Sequence, residues 1–458
     1  MADRAQMHPL EAIVARGQCM GCGFCAATLS DAAESVSVAM ARDETDGIYR
    51  PVVSGWQPGQ APGAFLCPGA EMDLPALAQE AYGREPPDPM LGEVVATCAA
   101  YSNDADERMR AASGGVVPAL IRLLFDSGRI TRAYVLGTLP GQRDGAGHEI
   151  RNAGAFATAH GSHYHPSDFG AGLRGFLEGE GPFAFVGLPC QVAAMRKLIL
   201  ERPALQRDAV VLISLFCGGL NSYHGIGYYL ARHGVDPGQV REIGYRDGAW
   251  PGRIRLALAD GTTRTIARIR GNSRAMVMHY MAAFQGFWML KRCRICPDQI
   301  GDFADIAVGD PHSRRFRDMS AAAGGGGFSA VVTRSAAGQA LMEEAAARGY
   351  LAQMPMSREE VAESQGYTLV QRRAAEVYAQ IDGKLGGTPP KVAVYTALRG
   401  KESATARRVA WIDMLKLKLD LRKPVPAIVW VWQVAEYLIL RFPLAEFGRR
   451  LKNIVSNR

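Results

Sequence analysis

The stretch "GQCMGCGFCAAT" (17–28) places Cys19, Cys22 and Cys25 at two-residue intervals, and "FLCPGA" places Cys67, followed by proline, farther along. A C-x2-C-x2-C loop offers three sulfurs from one compact turn, and a distant C-P cysteine closes a four-thiolate cage, the spacing suited to a [4Fe-4S] cluster. A structural zinc, which generally draws on cysteine pairs, a redox disulfide and chance clustering are the competing readings. The segment around these cysteines, residues 1–82, is rich in glycine and proline with little periodicity. It could scarcely bury enough apolar surface to fold alone, so a metal centre would give it a core. The opening residues lack a basic segment followed by an apolar run and do not read as a secretory signal. The cytoplasm is therefore expected, where the nine cysteines would be reduced thiols.

A chain of 458 residues is long enough for several domains. "GREPPDPMLG" (83–92) reads as a linker, because clustered prolines block both helix and central strand. Beyond it, strand and helix signals alternate. "SGGVVPALIRLLFDSG" (113–128) predicts a helix with Ser113 as N-cap and Gly128 as its stop. A strand is expected at 132–137, a strand, tight turn and helix over 182–199, a buried strand ending in a glycine turn over 209–220, short strands over 303–311 and 328–334, and a helix over 335–349. Such alternation predicts an α/β fold with a partly parallel, mixed sheet, α+β being the alternative. The expected organisation is a ferredoxin-like segment (1–82), a core in two parts (92–175 and 176–350), a helical extension (351–400) and a basic tail (401–458).

A second set of thiols lies inside the core. "GLPCQ" puts Cys190 after a strand, "LFCGG" puts Cys217 at the end of another, and "CRICP" supplies Cys293 and Cys296. Singly, each is ordinary core filler; together they would converge if both strands end at the same sheet edge. Cys98, in "VVATCAAY", has no partner left and reads as buried and inert. Ser113, Gly114 and Gly115 open a helix whose free N–H groups and dipole would suit a phosphate, although glycines before helices are common.

Charge is localised. Residues 401–458 hold twelve Lys/Arg against five Asp/Glu, an excess of seven that equals the net charge of the whole chain. The rest is balanced and shows no basic, aromatic-studded face, so no nucleic-acid partner is expected. "PAIVWVWQVAEYLILRF" (426–442) is too short and too interrupted for a membrane span of about 20 residues. The basic tail would lie on an anionic membrane, dock on a partner subunit, or pack on the protein's own core.

Read in order, "AASGGVVPAL", "GSHYHPS", "GLPCQVAAMRKL", "SLFCGGLNSYHGI", "YRDGAWPGRIRL", "KRCRICPDQIGDFADIAVGDP" and "GGGGFSAVVTR" resemble the coenzyme F-420 hydrogenase/dehydrogenase beta-subunit family. The resemblance covers roughly residues 92–345, with the cysteine-rich segment in front. It implies an oxidoreductase carrying FAD beside a [4Fe-4S] cluster held by Cys190, Cys217, Cys293 and Cys296, with a second cluster on Cys19, Cys22, Cys25 and Cys67. It implies flavin contacts at Ser113, Gly114, Gly115, Ser162 and Tyr164. Electrons would pass from a ferredoxin-type donor through two clusters to the flavin and on to a small-molecule or deazaflavin acceptor. A non-catalytic electron-transfer subunit of a larger complex is the alternative. The family's "GSKY" is "GSHY" here, and an aromatic pair after "GD" is replaced by Pro311 and His312, so the substrate is not inherited. His163, Tyr164, His165 and His312 are candidate proton donors, with structural hydrogen bonding as the competing role for each.

Overall fold

The computed structural model describes residues 7–138, 143–156, 161–268, 274–417, 427, 429, 431, 432 and 434. At the start, helix α1 (Pro9–Ala15) is capped reciprocally: His8 Nδ1 accepts from Leu10 N, and Glu11 accepts from His8 N. The thiol loop follows, then helix α2 (Phe24–Thr28), the antiparallel pair β1 (Ser37–Asp43) and β2 (Ile48–Ser54), and the short strand β3 (Glu71–Asp73) just past Cys67.

The core sheet has eight strands: β4 (Ala96–Ser102), β5 (Arg132–Gly137), β6 (Ala146–Ile150), β7 (Phe183–Gly187), β8 (Ala209–Leu215), β9 (Ile306–Gly309), β10 (Ser329–Thr333) and β11 (Leu351–Pro355). Their spatial order is β11-β4-β10-β9-β8-β7-β5-β6. The four strands β9, β8, β7 and β5 run parallel, and the flanking pairs are antiparallel. This is the mixed α/β sheet expected from the alternation. Strands β7 and β8 are nearly continuous apolar runs because both faces of the parallel centre are covered. Helix α3 (Val116–Asp126) buries Val117, Leu120, Ile121 and Leu124 against Val135, Val186 and Ile213. Helix α4 (Pro189–Glu201) covers the other face with Val192, Met195 and Leu198 against Phe185 and Leu212. Each such fully buried side chain contributes about 1.5–3 kcal/mol.

The cap of α3 differs from expectation. The N-cap is Gly115, not Ser113, because Gly115 takes a left-handed conformation (φ 78°) and the helix begins at Val116. Ser113 instead donates from Oγ to the Phe328 carbonyl at 2.5 Å. Gly114 has a tighter constraint: a Cβ there would lie 2.5 Å from the Ala100 carbonyl oxygen and 2.8 Å from Ser329 N. The fold itself therefore requires these glycines.

Farther along come the one-turn helix α5 (Lys291–Arg294), the long helix α6 (Gly366–Lys384), strand β12 (Lys391–Ala393) and helix α7 (Ala404–Lys416). Strand β12 pairs in parallel with β3, so the cysteine-rich segment is stitched to the C-terminal region. Helix α7 packs Ala406, Ala410 and Met414 against Ala374, Tyr378, Ile381 and Ile295. This first part of the basic tail thus rests on the protein's own core. Trp430 and Tyr437 lie outside the described residues. Among the described residues no helix is long and apolar enough to cross a membrane.

Candidate functional site

Parallel strands deliver their carboxyl ends to one edge of a sheet, and in open α/β sheets that edge is where ligands bind. Here β5 ends at Gly137, β7 leads into Cys190, β8 leads into Cys217, and β9 leads into Asp310. The antiparallel neighbours β10 and β4 bring Phe328, Ser102 and the 113–115 turn to the same edge.

Cys190 sits in the first turn of α4, which opens with Pro189 and is capped where Leu188 N donates to Gln191 Oε1 at 2.7 Å. Cys217 N donates to the Gln299 carbonyl at 2.9 Å, and Gln299 Nε2 donates to the Cys296 carbonyl at 2.7 Å. From α6, Gln371 Nε2 donates to the Cys293 carbonyl at 2.7 Å. Strand end, C-x2-C turn and long helix are thereby locked together. Below them, Arg372 makes a bidentate pair with Asp302 at 2.9 and 2.5 Å, both groups fully buried. Burial alone would raise the Asp302 carboxyl, but Arg372 outweighs it and holds the group below its ordinary value.

In the first set, Gly21 and Gly23 take φ of 74° and 75°, which lets a short loop wind its three sulfurs inward. Gly23 also packs backbone to backbone against Gly170 of the core. Gly21 N donates to Cys19 Sγ at 3.4 Å, as Gly219 N does to Cys217 Sγ in the second set. Cys25 is buried, and Cys19 and Cys67 share its apolar surroundings.

All nine cysteines are free thiols. Within each set the sulfurs lie in electrostatic reach of one another: Cys22 with Cys67, Cys25 and Cys19, and Cys190 with Cys296, Cys217 and Cys293. Cys22 also reaches Cys190, so the two sets adjoin. Burial, reinforced by this mutual repulsion, pushes Cys25 and Cys217 up to about 12 and Cys293 to about 11, and raises Cys22 and Cys190 strongly. Eight thiols gathered in two enclosed sets, with backbone N–H groups aimed at sulfur, fit cationic clusters that would neutralise their thiolates. Among the described residues no three His, Cys, Asp or Glu side chains converge closely enough to hold a single metal ion. Cys98, packed beside α3 and raised to about 11 by burial, belongs to neither set.

The sequence-derived candidates for flavin and proton chemistry separate into two places. Tyr164, Ser113 and His312 gather around an ion pair that sequence reasoning missed. Arg246 Nη1 lies 2.8 Å from Asp310 Oδ2 and donates to the Tyr164 hydroxyl at 2.9 Å. Trp250 Nε1 donates to Asp310 Oδ1 at 3.3 Å. Burial would raise Asp310, but Arg246 holds it down at about 2. Burial likewise pushes the Tyr164 hydroxyl up, and Arg246 with Arg268 outweighs it, leaving it below its ordinary value. Arg246 Nε and Nη2 are buried without hydrogen-bond partners, and the α3 N-terminus beside them has no side-chain cap. Unpaired buried donors and a free helix start fit the polar and anionic parts of a flavin nucleotide. Arg246 is the penultimate residue of the strand "VREIGYRD", whose charged residues give no sequence signal that sets it apart.

His163 lies elsewhere. Its Nε2 is 3.0 Å from Thr138 Oγ1 at the end of β5, its Nδ1 is buried and unpaired, and burial lowers it to about 4. His165 Nδ1 meets the Tyr245 hydroxyl at 2.5 Å. Nearby, Asp144 accepts from Arg42 at 2.6 Å and from Tyr49 at 3.3 Å, joining the β1–β2 pair to the core. Ser162 is half-buried beside these groups.

Residues 181–359 match the family model for the C terminus of the coenzyme F420 hydrogenase/dehydrogenase beta subunit. A 210-residue stretch is 25% identical to coenzyme F420-dependent sulfite reductase of Methanocaldococcus jannaschii, covering 43% of this chain and 30% of that protein. The chain thus spans less than a third of that curated relative. Among solved structures, a chain from the F420-reducing [NiFe] hydrogenase complex of Methanosarcina barkeri superposes with a TM-score of 0.51 at 19% identity, over 66% of this chain and 98% of the other. The chain is beta-subunit-like, as its motifs indicated. The family match takes in Cys190, Cys217, Cys293, Cys296, Arg246 and Asp310; Cys19 to Cys67 and the 113–115 turn precede it.

Proposed function

Proceeding from that likeness, we propose that this chain is an iron-sulfur flavoprotein oxidoreductase. Cys19, Cys22, Cys25 and Cys67 would hold one [4Fe-4S] cluster, and Cys190, Cys217, Cys293 and Cys296 a second. FAD would lie at the sheet's carboxyl edge, near the 113–115 turn, Tyr164 and Arg246. When bound, such groups supply one-electron carriers and a converter to two-electron chemistry. The chain's own residues enclose the thiols, orient them through backbone N–H groups and keep the two sets adjacent. Arg246 presents unpaired donors to the flavin site, and Tyr164, with its lowered hydroxyl, is placed to hold or release a proton there. His312, close to Asp310, is a second proton carrier; burial lowers its imidazole below the ordinary value.

The observation that carries this reading is that Arg292, next to Cys293, donates to the carbonyls of Gly69 and Pro68 that follow Cys67, which joins a segment outside the family match to the thiols inside it. A ferredoxin-type donor and a deazaflavin or other small-molecule acceptor are the expected partners. The test is an anaerobic absorbance spectrum with iron, sulfide and flavin assays: a brown protein with two clusters and one flavin is expected. A colourless protein with zinc, or with no metal, would sink the proposal.

A second reading makes the chain an electron-transfer subunit of a larger assembly, favoured by a structural neighbour that comes from a hydrogenase complex. Turnover of an acceptor by the isolated chain with a ferredoxin or chemical donor separates the two.

A further inference from the structure

Helix α5, "KRCR", carries three cations that leave it in different directions. Lys291 pairs with Asp382 at 2.6 Å, and Arg294 pairs with Asp413 of α7 at 3.0 Å. Arg292 goes to the other thiol set: its Nε donates to the Gly69 carbonyl at 2.7 Å and its Nη2 to the Pro68 carbonyl at 3.0 Å, in the turn that follows Cys67. It is 1% exposed, and its Nη1 is buried without a hydrogen-bond partner. Buried Arg246, Arg294 and Arg372 each face a carboxylate. Among the described residues Arg292 has no such ion pair. A guanidinium taken out of water without a counter-charge is strongly disfavoured, so its counter-charge must come from what adjoins it. What adjoins it is sulfur on both sides: Cys296 lies within reach of its side chain, Cys293 follows it in the chain, and Cys67 precedes the two carbonyls it holds.

We propose that Arg292 is a positioning residue shared by the two thiol sets, a single buried cation that serves as counter-charge to both. The inference rests on the two-cluster reading above. Each set would take up one electron from an added reductant, with no protein bond formed or broken, and the guanidinium would stabilise the added negative charge on either side. Its planar fork is what allows the sharing, since Nε and Nη2 are committed to the first cradle while its charge also faces the second. An ammonium, a point charge on a flexible stem, would serve one side only.

The test is a spectroscopically monitored redox titration of the whole protein, with iron counted in every sample. Arg292→Gln is expected to lower both midpoints, each by about tenfold in its reduction equilibrium, or about 59 mV for one electron. Arg292→Lys is expected to leave one midpoint near the wild-type value and lower the other. Two iron-loaded sets whose midpoints do not move in Arg292→Gln, or of which only one moves, would overturn the proposal while leaving the cluster reading intact. Should Arg292→Gln fail to load iron, Arg292→Lys decides: two unchanged midpoints overturn the proposal. A wild-type protein without iron would remove the cluster reading and this one together.

Discussion

In the first thiol set three sulfurs come from seven consecutive residues, Cys19 to Cys25, whereas the second draws Cys190 and Cys217 from two strand ends and Cys293 and Cys296 from a helical turn. Local chain geometry alone brings the first three together, through two left-handed glycines. Nothing local joins Cys190 to Cys293; the order of strands in the sheet does that work. The first set should therefore answer to changes in its own loop and its attachments, and the second to the integrity of the core.

The largest expected effect comes from the sulfurs themselves. Changing Cys190 and Cys293 to serine should remove about half of the bound iron and leave the spectrum of the first set, while Cys19→Ser with Cys22→Ser should do the reverse. Iron that persists in full in either double variant would break the comparison. Next in size is Asp413→Ala, which removes the buried carboxylate that faces Arg294, Lys416 and Tyr378 beside the second set. A loss of about 3–5 kcal/mol is expected, read as a lower denaturation midpoint, with iron lost from the second set first. Gly114→Ala presses a methyl group onto the Ala100 carbonyl and should cost about 1–3 kcal/mol; calorimetry checks it, and unchanged stability would show that the edge yields.

The smallest effect concerns the junction between the two regions. His163 and His165 are held at about 4 and about 3, chiefly by burial, below the ordinary 6.5. On lowering the pH the unfolded chain takes up these protons first. Stability from keeping the imidazoles neutral is fully present above about pH 6.5 and is lost as pH falls toward 4. Melting temperature followed across that window should fall, and His163→Gln should flatten the slope; an unaltered slope would remove His163 from the account.

How far the sequence could be read follows the same division. The C-x2-C-x2-C loop was legible because its chemistry is encoded in spacing. Strands such as "FAFVG" and "VVLIS" were legible from continuous apolar runs, and Ser335 and Gly349 bracket the 336–347 helix as expected. Cap geometry at 113–115 was not, because a close approach of Gly114 to β4 and β10 decides it, and that is tertiary. Arg246 and Asp310 stand 64 positions apart in the chain yet form one ion pair, which no periodicity reports. In the tail, the sequence left a membrane, a partner and the protein's own core open, and Ala406, Ala410 and Met414, which recur at helical spacing and form the buried stripe of α7, decide for the core over this part. Lys416, counted there among the basic excess, is 3% exposed and paired with Asp413.

The pairing of β3 with β12 sets a sequence of events in the making of this protein. The polypeptide emerges from the ribosome N-terminus first, so the Cys19–Cys67 loop is synthesised well before residues 391–393. Its neighbouring strand finds its mate only when residues 391–393 appear. The thiol loop thus stays open on that side until a segment far along the chain has been made, and its enclosure follows synthesis of the core sheet rather than preceding it.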